Sequence, residues 1–210
     1  MNEVSTERYV SKVSAREANR WELPSAGLNS RSWRALTKAG YRTVGDLKKL
    51  DATTLMAIRN ISRLSVEHID DFLEEVKRLE QGAVRLEPLR SFLKKRLNDD
   101  QLRVVEQRFG LRKARAAGKV TLASLGREMD VTRERARQLQ LEAKAILGSQ
   151  ISRPYLRAYQ KYLKDRPAKR SGRSDAILGR YNAAAAQALV DGLLKAPLPK
   201  HGYHKVWLKY

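Results

Sequence analysis

The chain of 210 residues has no cysteine and only three histidines. Without thiols there is no disulfide framework, no thiolate metal site and no thiol nucleophile. Of the histidines, His68 falls within a helical pattern. His201 and His204 stand three apart with no further ligand near them, so no metal site is expected. The glycines form no phosphate loop, since "AGYRTVGD" lacks the lysine that such a loop needs. Asp70, Asp71, Glu74 and Glu75 form an acidic helix face in a part of the chain with little basic charge, unlike a nuclease cleft. The expectation is a protein that is not an enzyme, with no catalytic residues and no cofactor. No apolar signal-peptide core opens the sequence and no run reaches membrane-span length. That predicts a cytoplasmic protein without a membrane partner.

What the chain has in excess is positive charge: 43 Lys and Arg against 23 Asp and Glu, a net of +20. The excess is uneven. Residues 1–80 carry 14 basic and 12 acidic groups, residues 81–165 carry 20 and 9, and residues 166–210 carry 9 and 2. A general need for solubility does not explain such asymmetry; an anionic partner facing the middle and the tail does.

Apolar periodicity predicts an all-α fold of two small helical domains, the second a helix-turn-helix, with a basic C-terminal extension. Residues 1–24 read as an arm or one short helix. Residues 25–80 hold "SRSWRALTKAG", ended by Gly40, then "TVGDLKKL" with Thr43 and Asp46 in capping-box spacing. A short helix and a longer one capped by Ser65 follow, the latter burying Val66, Ile69, Phe72, Leu73, Val76 and Leu79. Residues 81–165 include a second capping-box pair, Asn98 and Gln101, and a helix capped by Thr121. Residues 166–210 combine a basic linker, an alanine-rich helix from about Asp175 to Leu194, and an aromatic tail with Tyr203, Trp207 and Tyr210.

Within the second domain, "DVTRERARQLQ" at 130–140 stands out. Thr132 is a good N-cap, and Ala136, Leu139, Ala143, Ile146 and Leu147 make one apolar stripe. Arg133, Glu134, Arg137 and Gln138 fall together on the opposite side. Each of these side-chain types can pair with a base edge, and arginine also pairs with phosphate. Asp130 and Val131 leave only a short turn after the helix capped by Thr121, which describes a helix-turn-helix.

"RFGL" at 108–111 and "TLASLGREMDVTRERARQLQ" at 121–140 resemble region 4 of bacterial primary-type sigma factors, the domain that reads the promoter −35 element. The likeness spans roughly residues 88–165. It implies that Arg133, Glu134, Arg137 and Gln138 face the DNA major groove, with Thr121, Thr132 and Arg135 completing the DNA-facing set. It also implies a grip on the polymerase beta flap through an apolar groove, for which Leu93, Leu97, Leu102, Val105 and Phe109 are the candidates.

"LNSRS" at 28–32, "TVGDL" at 43–47 and "IRNISRLSVEHI" at 58–69 resemble the C-terminal domain of the RNA polymerase alpha subunit, which implies a first domain of helix-hairpin-helix type. That likeness implies DNA contacts by Arg31 and by the hairpin at residues 60–65, including Ser65. In this protein Ser62 replaces a glycine of that hairpin and Leu64 a lysine. Two readings of the first domain follow, minor-groove contact or protein docking.

The expected partners are double-stranded DNA of promoter −35-like sequence and RNA polymerase, as core or holoenzyme. Nothing resembles the DNA-melting region of a sigma factor or the assembly domain of an alpha subunit. The favoured function is therefore an accessory, promoter-recognising transcription regulator. A polymerase-binding decoy or inhibitor, of phage origin for instance, and a general DNA-binding protein are the alternatives. Arg112, Lys113, Arg115 and Lys119 in the basic loop, and Lys169, Arg170 and Arg173 in the tail, are expected to attract phosphate without regard to sequence.

Overall fold

A computed structural model describes residues 10–82, 84–112, 120–165 and 175–199. The aromatic tail, His201, His204 and six of the basic loop and tail residues, Lys113, Arg115, Lys119, Lys169, Arg170 and Arg173, lie outside them. The described residues are helical and contain no β-strand.

Six helices build the first unit: α1 (Ala15–Asn19), α2 (Leu23–Ala26), α3 (Ser30–Lys38), α4 (Val44–Leu47), α5 (Ala52–Ala57) and α6 (Arg63–Gln81). Short polar side chains start them. Asn29 accepts the N–H of Ser32 at 2.8 Å, and Thr43 and Asp46 close the capping box read from the sequence. Each such cap stabilises its helix by about 1 kcal/mol. The start of α6 differs from expectation. Its N-cap is Ser62, which accepts the Ser65 N–H at 3.3 Å. Ser65 therefore lies inside the first turn, where it is buried. The apolar stripe of α6 is buried as read at Val66, Ile69, Phe72, Val76 and Leu79, while Leu73 is half-buried. Residues 10–24, read as an arm, hold α1 and the start of α2, and they put Val10, Val13, Ala18, Trp21 and Leu23 into the core.

The second unit comprises α7 (Leu89–Arg96), α8 (Asp99–Arg108), α9 (Leu122–Glu128), α10 (Arg133–Leu147) and α11 (Arg153–Lys164). Asn98 and Gln101 cap α8 reciprocally, as their spacing predicts. Val104, Leu125 and Leu139 form a small core of their own where α8, α9 and α10 meet. The aromatic stripe of α11 folds back on α7, with Phe92 5.4 Å from Tyr155 and 5.3 Å from Tyr159 between ring centroids. The Tyr159 hydroxyl donates to the Glu87 carbonyl at 2.7 Å.

The alanine-rich helix, α12 (Ala183–Lys195), starts later than composition suggests. Residues 175–181 form a turn organised by Asp175, whose carboxylate accepts the N–H groups of Ile177 and Leu178 and the Tyr162 hydroxyl. This turn and the residue after it are tied to the start of α7 and to the residues that follow α8. Leu89 N–H donates to the Ile177 carbonyl at 2.8 Å, and Asn182 N–H to that of Leu111 at 2.7 Å.

The units share a single apolar core that runs from Val10 to Leu193. Gln150 N–H donates to the Ser25 carbonyl at 2.9 Å and Ile151 N–H to the Ala26 carbonyl at 3.1 Å. Gly27, at φ +124°, lies so close that a Cβ there would be 2.7 Å from Ile151 Cγ2.

Candidate nucleic-acid interface

Helices α9 and α10 meet through a turn whose tightness rests on two local features. Gly126 in α9 lets the backbones touch, since a Cβ there would stand 2.7 Å from the Val131 carbonyl oxygen. Val131 N–H donates to the Gly126 carbonyl at 2.9 Å. Asp130 takes φ +53°, a left-handed conformation that aspartate tolerates better than most residues. Thr121 and Thr132 cap the helices by accepting the N–H groups of Ser124 at 3.0 Å and Arg135 at 3.1 Å. Those hydroxyls are therefore engaged in holding the two helix starts.

On α10, Arg133, Glu134, Arg137 and Gln138 are all exposed, while Ala136, Leu139, Ala143 and Leu147 are buried on the other side. Glu134 accepts two bonds from one guanidinium, from Arg137 Nε at 2.8 Å and Nη2 at 2.7 Å. Gln138 Nε2 reaches the same carboxylate at 3.5 Å. The Arg137 bonds hold the Glu134 carboxyl below its usual range, so it stays ionised at neutral pH. This arrangement orients a planar cationic fork and an amide side by side, ready to exchange their mutual bonds for base edges or phosphate.

Arg135 is turned toward the protein, 3.6 Å from Glu142, and the buried Glu142 also accepts from Gln101 at 3.1 Å. It acts as a strut between α8 and α10 as much as a surface group. One candidate that the sequence reading missed is Arg127. It is exposed and lines, with Thr132 and Arg135, an open concavity of about 570 Å³ beside the turn. Its place on the outer side of α9 was the available signal.

The remaining sequence candidates divide. Arg31 is exposed in the first turn of α3. Ser65 is buried and its hydroxyl lies 3.0 Å from that of Ser62, so it is not offered beside Arg31. Leu93, Leu97, Leu102 and Val105 are buried in the shared core, and Phe109 is half-buried beneath Lys144, whose Nζ lies 6.0 Å from the ring centroid. These side chains pack into or against the protein's own interior. Arg112 is exposed but pairs with the buried Glu106 at 2.7 Å.

Residues 15–75 match the family model of the C-terminal domain of the bacterial RNA polymerase alpha subunit, and residues 95–145 match that of sigma-70 region 4. The protein joins an alpha C-terminal-domain-like module to a sigma region 4-like one. It is thus a transcription protein of DNA-binding, RNA polymerase-related type, and both of its matched modules are non-catalytic. The first match begins at α1, ahead of the boundary drawn from the sequence, in keeping with the burial of Ala18 and Trp21. The second ends within α10, so α11 and α12 lie beyond both modules. No curated protein and no solved structure matches this sequence. Among the described residues no helix is long and apolar enough to cross a membrane, and no cluster of His, Asp or Glu could hold a metal ion.

Proposed function

We propose that this protein is a transcription regulator that recognises promoter −35-like DNA through α9 and α10 and acts on RNA polymerase at the nucleoid. The observation that carries the reading is the exposed quartet Arg133, Glu134, Arg137 and Gln138 at the start of α10, backed by a buried stripe and preceded by a tight turn. A face of this composition at the leading end of a helix suits the major groove, where arginine pairs with guanine and glutamine with adenine. The polymerase partner is supported by the joining of two polymerase-type modules in one polypeptide.

Duplexes selected by the full-length protein from random DNA test the DNA reading. Enrichment of a −35-like sequence, lost on Arg137→Ala, is the expected result; enrichment of no sequence would instead make it a general DNA-binding protein. In vitro transcription tests the polymerase connection. The protein should alter initiation by a holoenzyme and should not start transcription with core enzyme alone.

A further inference from the structure

We propose that the two modules read one DNA duplex as a single rigid body, with Arg31 meeting the DNA at a fixed distance and phase from the bases under α10. The proposal rests on the reading of α10 as the DNA-facing helix. Separate ties of different kinds hold the modules together. The first is backbone: the N–H groups of Gln150 and Ile151 donate to the Ser25 and Ala26 carbonyls. The second is steric: Gly27 packs against Ile151 too closely for any side chain at that position. The third is Arg96 of α7, which pairs with Glu75 of the first module and donates to the Ser152 hydroxyl at 3.2 Å. Its guanidinium also sits 4.2 Å from the Phe92 ring centroid and 4.7 Å from that of Tyr155. Leu86, which precedes α7, is buried in the shared core as well.

These ties lie close in sequence to Arg31 and to α10. Gly27 precedes the exposed Arg31 by four residues, and Ile151 follows the last residue of α10 by four. Backbone reach and the rise of α10 then keep Arg31 within about 60 Å of Arg133. On a duplex rising about 3.4 Å per base pair, that is fewer than about 18 base pairs. Arg34, also exposed, adds a second cation one turn along α3. Modules on a flexible tether would instead accept a range of spacings.

The test uses the full-length protein and a duplex that it has selected. Hydroxyl-radical cleavage of the complex should show two protected stretches, one under α10 and one within about 18 base pairs of it. Arg31→Ala should remove only the second and weaken binding roughly five-fold or more. Inserting about five or about ten base pairs between the stretches should each reproduce that loss, because a rigid body follows neither a half-turn rotation nor a displacement of about 34 Å. Affinity restored by the longer insertion overturns the rigid arrangement. A single protected stretch indifferent to Arg31→Ala overturns the proposal while leaving the α10 reading intact. Binding indifferent to Arg137→Ala removes the α10 reading and this proposal with it.

Discussion

The Tyr181 hydroxyl donates to the Glu106 carboxylate at 2.5 Å, joining positions 75 residues apart. Arg90 at 3.3 Å and Arg112 at 2.7 Å complete the shell of this buried acid. The segment before α12 is thereby fastened to α8, and the fastening is chemical as well as apolar. Tyr181→Phe leaves the ring's packing in place and removes one bond to a charged group, so urea unfolding should show a loss of about 1–3 kcal/mol.

Burial, and then the bond to Glu106, push the Tyr181 hydroxyl well above its ordinary titration range. Tyr155 and Tyr159 are raised too, also chiefly by burial. A raised folded-state value means the contribution is complete below the unfolded value of about 10 and is lost as pH climbs past it, because the unfolded state releases its protons first. Urea midpoints should hold up to about pH 9.5 and then fall, and fall less steeply in Tyr181→Phe.

Gly126→Ala places a methyl group against the Val131 carbonyl. Opening the turn to admit it should cost about 1–3 kcal/mol and displace α9 from α10. The expected signature is a protein with nearly parental helical circular dichroism and severely weakened binding to its selected duplex. Parental affinity in a folded variant would separate the turn from DNA recognition.

At the reading face, losing a bidentate base contact costs on the order of 1–3 kcal/mol of discrimination. Glu134→Ala should therefore relax base choice at one position and leave overall binding in place. Affinities for all single-base variants of the site provide the comparison. If mutant and parent rank them identically, Glu134 only orients Arg137.

Salt dependence distinguishes the basic groups. Neutralising Lys113, Arg115 and Lys119 should flatten the log–log salt slope by up to about 0.9 for each phosphate contact removed. Arg112→Ala should act differently, lowering stability through Glu106 and leaving the slope nearly unchanged.

Much of the local structure was legible from spacing. Thr43 with Asp46 and Asn98 with Gln101 are capping boxes as read, and the stripes of α6 and α10 are buried nearly as written. These features depend on neighbours within a turn or two. The misreadings have a common physical origin in distant partners or competing local bonds. Ser62 and Ser65 are equally good caps by type, and in the structure Ser62 takes the extended cap conformation and accepts the Ser65 N–H. Asp175 sits in an alanine-rich, helix-favouring stretch, yet its bonds to Tyr162, Ile177 and Leu178 make a turn. By contrast, Leu93, Leu97, Leu102 and Val105 have a period that announces burial, and they are buried in the shared core. The contacts of Ser25, Ala26 and Gly27 with Gln150 and Ile151 leave no trace in periodicity at all.

The continuity of the core bears on how this protein can be divided. A cut in the stretch between α6 and α7 follows the boundary suggested by its two ancestries, yet it runs beside Leu79 and Leu86, both buried in the same interior as Ile151 and Tyr155. Each half would carry a raw apolar face, and such faces drive self-association. Fragments made along that line should aggregate or behave as loose globules, and recover order when mixed. The halves resemble two different modules, but here each serves as the other's missing wall.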